Sequence, residues 1–186
     1  MDDSSSAKQL QDIIRTYNNY KKLADAAIAQ TTDADLHRLI DPDANSVAIV
    51  VKHLTGNLRS RFADFLTTDG EKATRNRDEE FEMPDAKSRE ALLRAWNESW
   101  AVVIGELEKL TPADLDRTVY IRKEAFLVSE ALNRSVTHLA YHVGQIVMLA
   151  KHFQGPNWKS LSIPKGRSAE HMQGSFKQGI VPTPAR

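Results

Sequence analysis

The chain has no cysteine. That excludes disulfides, thiolate metal ligands and a cysteine nucleophile within these 186 residues, and leaves His, Asp and Glu to hold any metal. It also fits a cytoplasmic location. No apolar run approaches the ~20 residues of a transmembrane helix. The opening Met1-Asp2-Asp3-Ser4-Ser5-Ser6 is too acidic and polar for a secretory signal. Neither sign of charge is in excess, since Lys plus Arg and Asp plus Glu number 25 each. Nucleic acid or an anionic membrane would favour a basic surplus, so neither is expected as a partner. Arg59, Arg61, Arg75 and Arg77 do cluster, but Asp64, Asp69, Glu71, Asp78, Glu79 and Glu80 are interleaved with them.

What is present is helical periodicity. Leu10, Ile13, Ile14, Tyr17, Tyr20, Leu23, Ala24 and Ala27 recur with the 3.6-residue period, and Ser6 with Gln9 resembles a capping box, predicting a first helix from near Ser6 to Thr31 or Thr32. Asp33 to Leu39 reads as a short turn before Asp41-Pro42-Asp43. Asn45 or Ser46 caps a second helix whose stripe is Val47, Val50, Val51, Leu54, Leu58, Phe62 and Phe65. The charged stretch from Glu71 to Glu82 has no period and reads as a loop anchored by Phe81. A third helix spans roughly Ala86 to Leu110, with Trp96 and Trp100 at core spacing, and Thr111-Pro112 predicts a short turn after it. Val119-Tyr120-Ile121 and Phe126-Leu127-Val128 suggest a small hairpin around residues 122–125, although the turn lacks glycine and asparagine. Ser129 caps a fourth long helix to His152 or Phe153, and Gly155-Pro156 ends it. One domain over residues 1–186 is expected, with a core of about 7–153 and an irregular tail over 154–186 in which Trp158 and Leu161 dock. Four amphipathic helices with a long second-to-third connection give an all-α four-helix bundle.

The chemistry concentrates at Ser135 to Gln145. His138 and His142 stand four residues apart beside the stripe Leu132, Leu139, Val143 and Ile146, which stacks both imidazoles on one face, ~6 Å apart along the axis. Both can reach one divalent ion. The run is not the His-Glu-x-x-His of metalloproteases, because no glutamate stands between the two histidines. His53 bears the same relation to the second-helix stripe, so two helices would contribute one and two ligands to a facial set with open positions. A core-edge histidine bonded to a carbonyl is the competing explanation, and spacing alone does not separate the two. Asn57, Arg61 and Gln145 are candidates for the substrate pocket. Arg75 and Arg77 are candidates for an anionic substrate, against a solvated charged loop. His37, His152 and His171 lie in a turn, at a helix end and in the tail, and rank lower.

Several stretches also carry a family resemblance: residues 46–61 from Ser46 through His53 to Arg61, residues 64–72, Arg75-Asn76-Arg77-Asp78, Tyr141-His142-Val143-Gly144-Gln145-Ile146 and Trp158 to Pro164. With these the chain resembles the DinB/YfiT-like superfamily over nearly its whole length. The resemblance implies an up-down-down-up four-helix bundle, often a homodimer. It also implies a metal site of one histidine on the second helix and two on the fourth, here His53, His138 and His142, taking nickel, zinc, iron or manganese. Members include S-transferases that use bacillithiol or mycothiol, an isomerase and metal-dependent hydrolases. The leading expectation is a metal-dependent, thiol S-transferase-like enzyme acting on a small molecule, with a low-molecular-weight thiol taken from solution. A hydrolase and a non-catalytic metal- or small-molecule-binding stress protein are the alternatives.

Overall fold

A computed structural model of the chain describes residues 3–83 and 88–167. Four long helices, α1 (Asp3–Gln30), α3 (Val47–Phe62), α4 (Arg89–Lys109) and α5 (Val128–Gln154), enclose one apolar core. A one-turn helix, α2 (Asp33–His37), and a hairpin of β1 (Thr118–Ile121) and β2 (Glu124–Leu127) complete it.

Long-range hydrogen bonds fix the helix directions. Arg89, opening α4, donates to Thr31 O (2.9 Å) and Ile28 O (2.6 Å) at the end of α1, and Trp96 Nε1 reaches Asp25 Oδ1 (2.8 Å) one turn back, so α4 runs against α1. The Tyr17 hydroxyl donates to Leu132 O (2.9 Å) near the start of α5, whereas Gln30 pairs with the backbone of Lys159 just beyond its end, so α1 and α5 run together. Phe62, ending α3, meets Tyr17 at that same early level of α5, while His53 meets His138 and His142 further along. α3 is therefore antiparallel to α5. The order is up-down-down-up.

Local sequence explains most of the boundaries. The Ser46 hydroxyl accepts from Ile49 N (3.2 Å), which starts α3. Asp64 takes a left-handed φ of 52° just past its end. Phe65, expected within the helix, is buried in the turn that follows. Four boundaries differ from the sequence reading. α1 begins at Asp3, and Ser6 lies within it, buried instead of capping it. α4 begins at Arg89, with Ser88 accepting from Ala91 N (3.3 Å); the expected start near Pro84 to Ala86 lies outside the described residues. α5 begins one residue before Ser129, because Glu130 reaches back to Leu127 N (2.8 Å) and does the capping. The hairpin turn is only Arg122-Lys123, since Ile121 already pairs with Glu124.

Leu132, Leu139, Val143 and Ile146 on α5 have no exposed surface. Each such side chain contributes about 1.5–3 kcal/mol of burial. Trp96 and Trp100 are core residues, as their spacing predicts. Leu161 is buried, and Trp158 packs against the core. The tail beyond Arg167, with Phe176 and His171, lies outside the described residues. No helix among the described residues is long and apolar enough to cross a membrane.

Candidate metal centre

Antiparallel packing of α3 on α5 sets His53 opposite the helical pair His138 and His142. His53 Nε2 lies 3.3 Å from His138 Nε2, and one ligand nitrogen from each of the three rings falls within 4.8 Å of the others. A tetrahedral ion with nitrogens at about 2.0–2.1 Å spaces its ligands about 3.3 Å apart, a spacing the His53–His138 pair matches, while a set spread over as much as 4.8 Å would have to draw in around a shared cation. Nitrogen lone pairs at that separation repel unless a proton or a cation lies between them. His53 and His142 are buried and His138 is half-buried, which leaves one side of the group open.

The far side of two rings is fixed. His53 Nδ1 donates to Glu80 Oε2 (2.9 Å), and His142 Nδ1 donates to Gln145 Oε1 (2.8 Å). Each bond places the ring proton on Nδ1 and turns the Nε2 lone pair inward, the arrangement found behind metal-bound histidines. Burial holds His142 below the ordinary imidazole range; the Gln145 bond opposes this in part, and the charges at His53 and Arg77 add to it. Burial, with His142 and His53 as neighbours, pulls His138 down to about 4. Neutral imidazole is the form that binds metal.

Glu80 is the residue that sequence reasoning missed. It sits in a charged run and looks like one more solvated acid, yet it is 6% exposed. Arg75 clamps it through two bonds, Nε to Oε1 at 2.8 Å and Nη2 to Oε2 at 2.7 Å. Burial pushes the Glu80 carboxyl up, but the bonds from Arg75 and His53 outweigh it, and the group stays ionised below its usual range. Gly56 makes the position possible, since a Cβ there would lie 2.2 Å from Glu80 Oε1. The glycine three residues after His53 was the only signal in the sequence. Phe81, expected to anchor the loop, stacks on His53 with centroids 4.4 Å apart.

The three rings open onto a cavity of about 420 Å³ between α3, α5, the hairpin and the residue 71–82 loop. All three pocket candidates line it. Asn57 is buried on the wall. Arg61 is committed to Gly70 O and to Glu71 Oε2 (3.0 Å). Gln145 is occupied by His142. Arg75 is neither a free anion ligand nor a solvated charge, because Glu80 and Glu71 hold it with its side chain 4% exposed. Ser135 Oγ is buried on the same wall and makes no hydrogen bond. Burial raises the nearby Tyr17 phenol far above its usual range, and the Ser135 hydroxyl offsets this only partly; their approach falls short of hydrogen-bond geometry. Of the low-ranked histidines, the two within the described residues stay away from the centre: His37 Nδ1 meets Asp33 O at 3.1 Å, and His152 is exposed at the end of α5.

Among known proteins, a family model described as "Protein of unknown function (DUF1572)" matches residues 4–167. No curated protein and no solved structure matches the chain.

Proposed function

Because the chain belongs to the DUF1572 family, whose description names no activity, we propose a function from the site itself: a metal-dependent enzyme centred on His53, His138 and His142, with thiol S-transfer as its reaction. One observation carries this reading. Three imidazoles from two helices converge within 4.8 Å and face a cavity large enough for a small molecule. A structural site would be closed by a fourth protein ligand, and none joins the three among the described residues. The resemblance to DinB/YfiT-like proteins, some of which transfer thiols, points the same way.

A divalent cation in this donor set supplies Lewis acidity, lowering the pKa of a coordinated thiol toward neutral pH. The chain's own residues do the rest. Glu80 and Gln145 hold two rings in the metal-binding tautomer. Phe81 covers one face of His53 and Arg75 secures Glu80 behind it, which limits water behind the rings. Asn57 and Ser135 offer polar contacts on the wall, and Phe62, Phe65 and Ile121 offer apolar ones. The thiol comes from solution, because the chain has no cysteine. A cytoplasmic setting and a homodimer belong to the same proposal. Hydrolysis is the second reading, favoured by the unpaired Ser135 hydroxyl, which could orient a water beside the rings.

Metal analysis of untagged protein tests the centre: near-stoichiometric zinc, nickel, iron or manganese is expected, with little in His138→Ala. Equal loading of that variant overturns the assignment. Mixing the holo-protein with monochlorobimane and a panel of low-molecular-weight thiols tests the reaction. A metal-dependent rate is expected with at least one thiol. Turnover of nitrophenyl esters alone selects hydrolysis, and no turnover at all selects a binding protein.

A further inference from the structure

The cavity wall is charged with one sign. Arg61, Arg75, Arg77, Arg122 and Arg134 all line it, and among the described residues no aspartate or glutamate does. Three of the five are balanced from behind. Glu71 accepts from Arg61 (3.0 Å), Arg75 (3.2 Å) and Arg122 (3.0 Å), and Glu80 also takes Arg75. Arg77 and Arg134 have no carboxylate partner among the described residues.

Both free guanidiniums are placed relative to the histidines. Arg134 stands four residues before His138 on α5, one turn or ~6 Å along the same face. Arg77 lies over the Phe81 ring at 5.0 Å, and Phe81 stacks on His53, so a cation–π contact holds Arg77 beside the centre. Both arginines are exposed at the mouth, whereas the inner wall carries Phe62, Phe65 and Ile121. A neutral ligand would pair with neither of these two charges, and a bound dication would add to the positive potential there.

We propose that the pocket takes an organic anion, with a carboxylate or phosphate group paired to Arg77 and Arg134 at the mouth and an apolar body against Phe62, Phe65 and Ile121. This names the substrate class for the proposed reaction and rests on that reading for the identity of the pocket. The anionic group stays at the rim, one helical turn from the rings, and leaves the remainder of the molecule to face them. Guanidinium recognises either oxyanion bidentately.

The test uses metal-free and zinc-loaded full-length protein with three probes by isothermal titration: 3-phenylpropionate, phenyl phosphate and the neutral 3-phenylpropan-1-ol. At least one anion is expected to bind metal-free protein tenfold or more tightly than the alcohol, and the stronger of the two identifies the oxyanion. Arg77→Gln and Arg134→Gln should each weaken that anion about five- to tenfold, the double variant should bind it no better than the alcohol, and Arg134→Lys should recover part of the loss. Zinc loading of all these variants should equal that of the parent. Affinity for both anions no greater than for the alcohol, an unaffected double variant, or anion binding that appears only with zinc would each overturn the proposal. Because the decisive titrations need no metal, a failed metal centre and a failed anion site give different results.

Discussion

Glu80 holds two neighbours at once, the His53 ring and the Arg75 guanidinium, and both depend on its charge and shape. Glu80→Gln keeps the size but replaces one oxygen with a donor that faces either Arg75 or His53. Metal affinity should fall about 10–100-fold, the usual loss for the partner behind a ligating histidine, measured by competition with a chromophoric chelator. Gly56→Ala should act on the same carboxylate from the other side. Its Cβ would have to push Glu80 off a position fixed by three bonds, so the variant should lose about 1–3 kcal/mol of stability together with metal affinity; a surface glycine would lose neither. His138 supplies a pH dependence. Its ring titrates near 4 in the folded protein against 6.5 in an exposed one. Between those values the unfolded chain carries a proton that the folded chain does not, so metal-free protein should lose stability as pH falls from about 6.5 towards 4. Above that window this group contributes no slope. The midpoint of urea unfolding at pH 7.5 and pH 5 reads the effect, and His138→Gln should lessen the drop.

At the scale of elements, the hairpin shows how a turn with unfavourable residues is held. Arg122 and Lys123 both adopt left-handed φ, at 55° and 65°, where glycine or asparagine is usual. Asp69 compensates from another part of the chain. One oxygen accepts from Arg122 N (2.8 Å), the other from Lys123 N (2.7 Å), and Glu71 N adds a third bond at 2.8 Å. These N–H bonds pull the Asp69 carboxyl below its usual range. Lys123→Gly should raise stability by about 1 kcal/mol by removing side-chain strain at a left-handed position, seen as a higher urea midpoint. Asp69→Ala should speed amide exchange across Thr118–Leu127 while α4 stays protected. The strands were legible from Val119, Tyr120, Ile121 and Phe126. The clamp was not, because it joins residues more than fifty positions apart and no local pattern encodes it. The same distinction runs through the site. Helical phase places His53, His138 and His142 beside their apolar stripes, which is local information, but that the three rings meet is visible only in the packed helices. Glu80 and Arg75 become visible only when the aperiodic loop is laid over α3, and there a buried acid and a solvated one look alike in sequence. The start of α5 was misjudged for a smaller reason: Ser129 and Glu130 both suit a helix start, and the carboxylate reaching back to Leu127 decides it.

For the molecule as a whole, apolar periodicity specified the helices, and their directions follow from contacts at the ends, such as Arg89 on Ile28 and Gln30 on Lys159. The proposed centre ties together the two helices that cross it, so a cation should stabilise the entire bundle and not only the pocket. Zinc at about a hundred times its dissociation constant should contribute about 2.7 kcal/mol. In a chain of this size that corresponds to a rise of about 5–10 °C in Tm. Differential scanning calorimetry of chelator-treated protein with and without zinc checks it, and the rise should vanish in His142→Ala. An unchanged Tm in the parent would count against a cation bound across α3 and α5.

One geometric fact governs when such a cation could first arrive. His53 and His138 meet across a separation of 85 positions, so while a ribosome is still making the chain, His53 emerges long before its two partners. During that interval the three-histidine set is incomplete. A cation of the kind proposed would therefore meet all three rings only after α5 has been made and has settled against α3.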